Sequence, residues 1–562
     1  MRGIAAVVAC AVICLGNAQL NLGLMTLRAQ APPRDTPAPD AGGTARIVGR
    51  VVAADTGNTL ARARVQITSS ALGSPRQLTT DANGRYEARN LRGGRYKILV
   101  TRVGFVSLEY GQTRPFEPGR ELELLDGQTL EHIDFALSRG GVITGRITDQ
   151  NGEPQAGIAM QALRFSWRPN GARQLDSMST AVFDRILTDD LGQFRIYGLM
   201  PGSYIVATGA LPGSLPWTDP TAQATTYFPG TTNVDEAQPV EVEIGREASA
   251  PFALASAKMA RVSGVIVDSG GRPVGWRSIM LATRSESTTA ARSAATTRPD
   301  GSFDIPAVAP GNYTLEVLPV RMEPTDREFA SFPIVVEGHD ITDLLISTRP
   351  SANVTGRIIW EGSSPHPSAT LRISPVAADP RLIPAAIISN SEGSGTVDAK
   401  GFFSIAGVHG NVVFRTTFNG QAEPWTLKAV RLGGADITDV GYDVFTDING
   451  IEVVLTDRGT RVSGIAKNAL NQPALDYVVV VLPSEMKPNV SPARFVKTAR
   501  PDQQGRYQIN DLPPGQYVVA AIESLSRDGH YNPAFQKQMR SVATSFALKE
   551  GQQLALDLPL MQ

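Results

Sequence analysis

Few residues in this chain have the type and spacing to do chemistry. Five histidines, His132, His339, His366, His409 and His530, stand singly, with no His-x-x-Glu or His-x-His pair at metal-ligand spacing, and each reads as a loop or surface residue. Both cysteines, Cys10 and Cys14, lie in the first stretch of the chain, so thiolate nucleophiles, cysteine-bound zinc and disulfides are excluded from the remainder. No Gly-x-Ser-x-Gly elbow and no phosphate-cradling loop occurs among the 53 glycines. Carboxylates pair at Asp189-Asp190, Asp340/Asp343 and Asp436/Asp439, which admits acid/base partners or calcium ligands, with Asp81/Asn83 a further calcium candidate. Calcium takes roughly six to eight oxygens and each such turn offers only a few, so turn capping is the simpler reading. No catalytic, cofactor-binding or metal-binding set is expected, and the chain does not read as an enzyme.

Aromatic side chains are the remaining binding signal. Trp217 in Leu215-Pro-Trp-Thr-Asp-Pro220, together with Tyr227 and Phe228, forms the candidate ligand-binding set. An aromatic face stacks on a sugar ring while nearby Asp, Asn and Arg bond its hydroxyls. Trp167, Trp360 and Trp425 also stand near loops, and filling a core or an interdomain joint is the competing reading for all of these residues.

The elements that would position such residues are written five times. Each repeat opens with an apolar-x-Gly strand: Ile47-Val-Gly49, Ile143-Thr-Gly145, Val262-Ser-Gly264, Val354-Thr-Gly356 and Val462-Ser-Gly464. A turn and strand follow: Asp81-Ala-Asn-Gly84-Arg-Tyr86, Asp189-Asp-Leu-Gly192-Gln-Phe194, Pro299-Asp300-Gly301-Ser-Phe303, Asp398-Ala-Lys-Gly401-Phe-Phe403 and Asp502-Gln-Gln-Gly505-Arg-Tyr507. Ten residues past that glycine come Gly94-Arg-Tyr96, Gly202-Ser-Tyr204, Gly311-Asn-Tyr313 and Gly515-Gln-Tyr517, while repeat four has Asn411 where the second Gly is expected and Val413 for the aromatic. The Asp carboxylate is suited to accept N–H groups from the turn while Gly supplies a positive φ, and the aromatic restarts the strand facing the core. Between these landmarks lie short β-branched runs such as Ala63-Arg-Val-Gln-Ile67 and Tyr477-Val-Val-Val-Val481, and no helical apolar stripe is evident after the first segment. The stretch before the Asp varies in length, so functional variation is expected there.

This pattern resembles the carboxypeptidase regulatory-like domain family, whose transthyretin-like sandwich is similar to carbohydrate-binding-like and Cna-B-like folds. The resemblance runs over residues 45–562 and names an accessory domain, not a peptidase. Tyr227-Phe-Pro-Gly230, Gly338-His-Asp-Ile-Thr-Asp343 and Gly434-Ala-Asp-Ile-Thr-Asp439 resemble phrases of secreted or outer-membrane bacterial proteins. Cna-B-like domains often carry Lys–Asn isopeptide bonds. Here the residue after the opening Gly is Arg50, Arg146, Val265, Arg357 or Ile465, and no lysine lies between Lys97 and Lys258, so no such bond is expected.

Residues 1–31 read as a signal peptide, with Arg2 before an apolar run and small residues at Ala29-Gln30-Ala31; a retained anchor and lipidation at Cys10 are the rival readings. The apolar run is shorter than the ~20 residues of a membrane span, so no transmembrane span is expected in the mature chain. Residues 32–44 form a Pro/Gly-rich linker. The expected fold class is all-β, five tandem transthyretin-like (prealbumin-like) β-sandwich domains at 45–139, 140–257, 258–350, 351–457 and 458–562. A formal charge of -1 gives no reason to expect nucleic acid as a partner. The expected role is a secreted, periplasmic or surface-associated binding or scaffold protein with a polysaccharide or an envelope protein as partner, carbohydrate being the ligand that the resemblance implies; the alternative is a structural or protein-interaction component of a cell-envelope assembly.

Overall fold

In each repeat the opening strand alternates buried and exposed residues and becomes the middle of a sheet. Ala45–Ala53 pairs antiparallel with Arg85–Leu91 and parallel with Thr129–Leu130 and Phe135–Leu137. The same three-strand order recurs around Gly141–Thr148, Ala260–Val267, Ala352–Glu361 and Arg461–Lys467. A second sheet, such as Arg64–Thr68 between Arg76–Thr79 and Gly94–Thr101, faces the first across an apolar layer. In repeat one that layer holds Ile47, Val51, Val65, Ile67, Tyr86, Ile98 and Phe135. This is a computed structural model; it describes residues 43–561 except 70, 73, 170, 172, 179–185, 210–224, 257, 284–290, 319–327, 368–369, 379–393, 419–423 and 487–489. Most of the expected leader and linker therefore lies outside the described residues. The chain is all-β, built of several sandwich-like bodies.

The recurring glycines and tyrosines have a shared mechanical origin. A methyl group at Gly49 would lie 1.9 Å from the Ile133 carbonyl oxygen, one at Gly264 2.1 Å from that of Leu344, one at Gly356 2.2 Å from that of Ile451, and one at Gly464 2.1 Å from that of Leu556. The opening glycine is thus the point where the closing strand presses its backbone onto the opening one. The turn aromatic packs at the same place, and where it is Tyr its hydroxyl donates to the same carbonyl: Tyr86 to Ile133 O and Tyr507 to Leu556 O, both 2.6 Å. The second tyrosine of each motif donates to the carbonyl four residues earlier, Tyr96 to Arg92, Tyr204 to Met200, Tyr313 to Ala309 and Tyr517 to Pro513, at 2.6 to 2.9 Å. That hydroxyl ties the Pro/Gly turn to the strand it starts.

Repeat four reaches the same register differently. Gly410 pairs with Val444 as Gly94 pairs with Leu124, and Val412 faces the core where Tyr96 does in repeat one. The missing glycine is Gly410, one residue before Asn411, so the turn is shortened by one, and Val412 rather than Val413 replaces the tyrosine.

Among the described residues, repeats five and two carry extra cover on the outer face of a sheet. Val478–Pro483 is buried on both faces, which is why its sequence is a continuous valine run instead of an alternation. Its outer face, with Val518 and Ala520, packs against Met539 of a helix, Pro533–Val542. The valine-rich sequence reading had no helix here. Its start is signalled by Asn532, whose side chain accepts the Ala534 N–H at 2.9 Å, followed by Pro533 in the first turn. In repeat two, Tyr227 and Val234 cover Leu163, Ile205 and Ala207 in the same way.

Candidate functional site

Four of the carboxylates that could have served catalysis, Asp81, Asp189, Asp340 and Asp436, accept backbone N–H groups. Asp81 Oδ1 accepts the N–H groups of Asn83 and Arg85, both at 2.8 Å, and Asp189, Asp398 and Asp502 repeat this pair of bonds. Asp340 accepts the Arg261 N–H at 2.9 Å, and Asp436 caps its own turn through Thr438. Asp439 instead is gripped by Arg494 at 2.7 Å and Arg415 at 3.0 Å, joining repeats four and five. Among the described residues no group of three or more His, Cys, Asp or Glu side chains is placed to hold a metal ion.

The histidines are partly packing residues, not all surface ones. His366 stacks on Trp360 at 4.7 Å, His409 on Phe329 at 4.1 Å, and His530 is buried against Tyr531.

Of the aromatic candidates, Tyr227 is 2% exposed within the outer cluster of repeat two, leaving no ring face for a sugar in this arrangement. Phe228 packs edge-on against Phe252 at 6.1 Å, and Trp217 lies outside the described residues. Trp425 is buried, donating Nε1–H to Pro365 O at 2.9 Å, with Trp360 edge-on to it at 4.8 Å. Two aromatics that the sequence reading passed over are exposed instead. Trp276, 71% exposed with φ 63°, stands where repeat two has Gly157. Phe402, 55% exposed, occupies the outward position held by Arg85, Gln193, Ser302 and Arg506 in the other repeats. It walls a shallow cleft of about 690 Å³ lined also by Thr355, Arg357, Thr396, Asp398 and Glu452, in which Arg357 and Glu452 pair at 2.5 Å. The signal was available in Gly401-Phe-Phe403, where an aromatic replaces the usual polar residue.

A polar constellation joins repeats distant in sequence. Arg500 reaches Glu117 at 3.1 Å, Asp476 at 2.6 Å and the Gly111 carbonyl at 3.3 Å. Its side chain is 6% exposed and that of Glu117 3%. Arg120 adds a second guanidinium to Asp476 at 2.6 Å, and Thr113 Oγ1 donates to it at 3.1 Å. Burial opposes the Asp476 charge, yet Arg120 and Arg500 hold its carboxyl below the usual range. Nearby, Arg527 bonds Glu109 at 2.5 Å and donates its N–H to Phe116 O, while Asp528 accepts the Trp167 N–H at 2.7 Å. Repeat five thus clasps repeats one and two. Its own contributions Asp476 and Arg500 lie in the variable stretch before the Asp turn, but those of repeat one, Gly111 to Arg120, lie after the second glycine, outside the stretch singled out from the sequence.

His530 makes this region acid-sensitive. Burial holds its imidazole down to about 4, against the pull of Asp528. The unfolded value is near 6.5, so the unfolded chain takes up a proton that the folded chain refuses between these limits. The stabilisation is complete above pH 6.5 and is lost as pH falls towards 4. Urea titrations at pH 7 and 5 are expected to differ by about 2 kcal/mol more for the native chain than for His530→Phe; an equal difference in both would contradict this.

A family model described as carboxypeptidase regulatory-like domain matches residues 46–138. Residues 46–138 therefore match a domain of this class. No curated protein matches it. Among solved structures it is similar to a streptococcal ancillary pilin (13% identity, 54% of this chain and 98% of that chain, TM-score 0.20). It is also similar to a minor pilin of Streptococcus agalactiae (12%, 37% and 95%, 0.21) and to the shaft pilin SpaA of Lactobacillus rhamnosus GG (11%, 38% and 98%, 0.19).

Proposed function

We propose that this is a non-enzymatic scaffold, secreted or surface-associated, whose five sandwich domains, with the limits given above, present binding surfaces to a protein partner in an envelope assembly. The observation that carries this reading is the clasp of Arg500 on Glu117 and Asp476, which fixes the first and last repeats against each other where an independent string of modules would need no such contact. Fixed mutual placement suits a protein that organises others, since rigid spacing raises the effective concentration of linked sites. Among the described residues no helix is long and apolar enough to cross a membrane.

A second reading, carbohydrate binding, is favoured by the cleft beneath Phe402, where an exposed ring stands beside hydroxyl, Arg and carboxylate groups. The discriminating experiment is binding of the chain from residue 32 onward to plant, microbial and cell-wall polysaccharides. Saturable binding lost in Phe402→Ala would replace the scaffold reading with glycan recognition, whereas no binding across the panel leaves the scaffold reading standing.

A further inference from the structure

Of the five histidines, His132, His339 and His366 are exposed, and the two sheltered ones, His409 and His530, both stand where one repeat meets another. Imidazole is the side chain whose charge ordinarily changes between about pH 5 and 8, so a joint packed around its neutral form is a joint that acid works against.

His409 belongs to the turn before Gly410–Phe418 of repeat four, and its ring lies on Phe329 of repeat three, 4.1 Å away and 26° from parallel. Arg349, at the boundary of the two repeats, sits over the same Phe329 ring at 4.9 Å and over Phe445 of repeat four at 5.2 Å. His409 Nδ1 is 3.2 Å from the Gly407 carbonyl oxygen, which only accepts, so Nδ1 carries the hydrogen and Nε2 is the atom left to take a proton. An imidazolium here would share one ring with the Arg349 guanidinium. Glu328, the acid beside Phe329, is already engaged by Ser269 and Thr348. Burial, with Arg349 adding to it and the Gly407 carbonyl opposing, holds this imidazole below its ordinary range.

His530 lies in Arg527–Tyr531, the segment by which repeat five grips repeats one and two. Gly529–Tyr531 packs along Ala159–Trp167 of repeat two, where Asp528 accepts the Trp167 N–H and stands 3.7 Å from Arg164. On its other side is the helix Pro533–Val542, whose Gln536 donates to the His530 carbonyl at 2.8 Å. The cations of that helix are turned elsewhere, Arg540 to the Pro483 carbonyl and Lys537 to solvent. Burial opposes a charge on His530, and Asp528, the acid that favours one, is already held by Trp167 and Arg164.

We propose that acid opens this molecule at its joints while the sandwiches stay folded: a proton on His409 parts repeat four from repeat three, and a proton on His530 lifts the Arg527–Tyr531 segment off repeat two. The inference goes beyond the scaffold reading and does not depend on it. Both closed joints favour the neutral ring, so they are complete above pH ~6.5 and weaken as pH falls. With His530 held down to about 4 when closed and near ~6.5 when free, the open population rises ~20-fold between pH 7 and 5. The Arg500 clasp does not share this window, since Asp476 is held below the usual carboxylate range.

Hydrogen exchange of the chain from residue 32 onward reads the repeat-five joint, because protection, corrected for the intrinsic effect of pH, reports how often a bond opens. The Trp167 N–H bonded to Asp528 and the Arg527 N–H bonded to Phe116 O are expected to lose ~20-fold in protection from pH 7 to 5, and to lose little in His530→Phe. At both pH values they should exchange faster than the core strand Val478–Pro483. Equal protection there would mean that repeat five unfolds instead of lifting away, and an undiminished loss in His530→Phe would mean that other groups drive the opening; either overturns the proposal. The joint of repeats three and four is read with spin labels at Val335→Cys and Lys400→Cys, both exposed. Their distance distribution is expected to broaden at pH 5 with His409 present and to stay narrow in His409→Phe. A distribution indifferent to pH, or one that broadens equally in the variant, overturns the role given to His409.

Discussion

Replacing Arg500 with alanine is expected to release repeat five from repeat one without unfolding either. Arg500 is the only cation within salt-bridge distance of the buried Glu117 among the described residues, and it also shares Asp476 with Arg120. Removing one partner of a buried pair costs about 3–5 kcal/mol when the other charge must stay buried. Glu117 has an escape, because opening the joint returns it to water, so the cost is limited to what the joint itself contributes. The expected result is faster hydrogen exchange across residues 109–120 and 474–477 and a broader distance between spin labels on the two repeats. The unfolding transition reported by Trp360 and Trp425, both in repeat four, should not move. Unchanged exchange in those segments would mean that Arg527, Arg120 and Thr113 hold the joint alone. Arg500→Lys should give an intermediate result, since one ammonium cannot reproduce a planar fork that spans two carboxylates and a carbonyl.

The second large effect is local to one sandwich. Alanine at Gly356 would place its methyl group 2.2 Å from the Ile451 carbonyl oxygen and 2.6 Å from the Phe403 ring. Neither neighbour is a flexible chain end: one is the backbone of the closing strand and the other a core ring that is 4% exposed. Overpacking of this kind costs about 3 kcal/mol or more. Gly433→Ala is the control, since a methyl group there meets nothing within 4 Å and the cost is about 1 kcal/mol for its left-handed φ of 58°. Trp360 and Trp425 lie in the affected repeat and report its unfolding by fluorescence. Equal midpoints for the two variants would mean that the closing strand yields easily, and that the recurrent glycine has some cause other than the pinch between strands.

What the sequence revealed was what is local. The Asp-x-x-Gly turn works as its residues predict, one carboxylate oxygen taking two N–H groups, and the alternation along Ala45–Ala53 reads directly as a half-buried strand. The one-residue error in repeat four arose because Gly410 and Asn411 both suit a turn, and only pairing with Val444 distinguishes them. The candidate site was much less legible. Tyr227 and Phe228 looked like exposed aromatics because their neighbours are turn formers, yet they cover Ile205 and pack against Phe252, partners that nothing nearby in sequence announces. Phe402 gives little signal of its own, because it sits beside the core Phe403 within the recurring motif. The clasp had no sequence signature at all: single Arg, Glu and Asp residues hundreds of positions apart do not declare that they meet.

That separation sets an order of events. Thr113 and Asp476 are 363 positions apart and Glu109 and Arg527 418. A ribosome releases the first repeat long before the fifth exists, so each new chain must pass through a stage in which Glu117 has no counter-ion from Arg500 and the Phe116 loop has no lid. Contacts this remote form late and slowly. Repeat five is therefore the part whose arrival closes this contact: its helix seals its own valine sheet, and the segment just before that helix, carrying Arg527 and Asp528, fastens it to repeats one and two. Chains cut short before residue 500 would keep well-made early sandwiches and still lack the partner that Glu117 is built to meet.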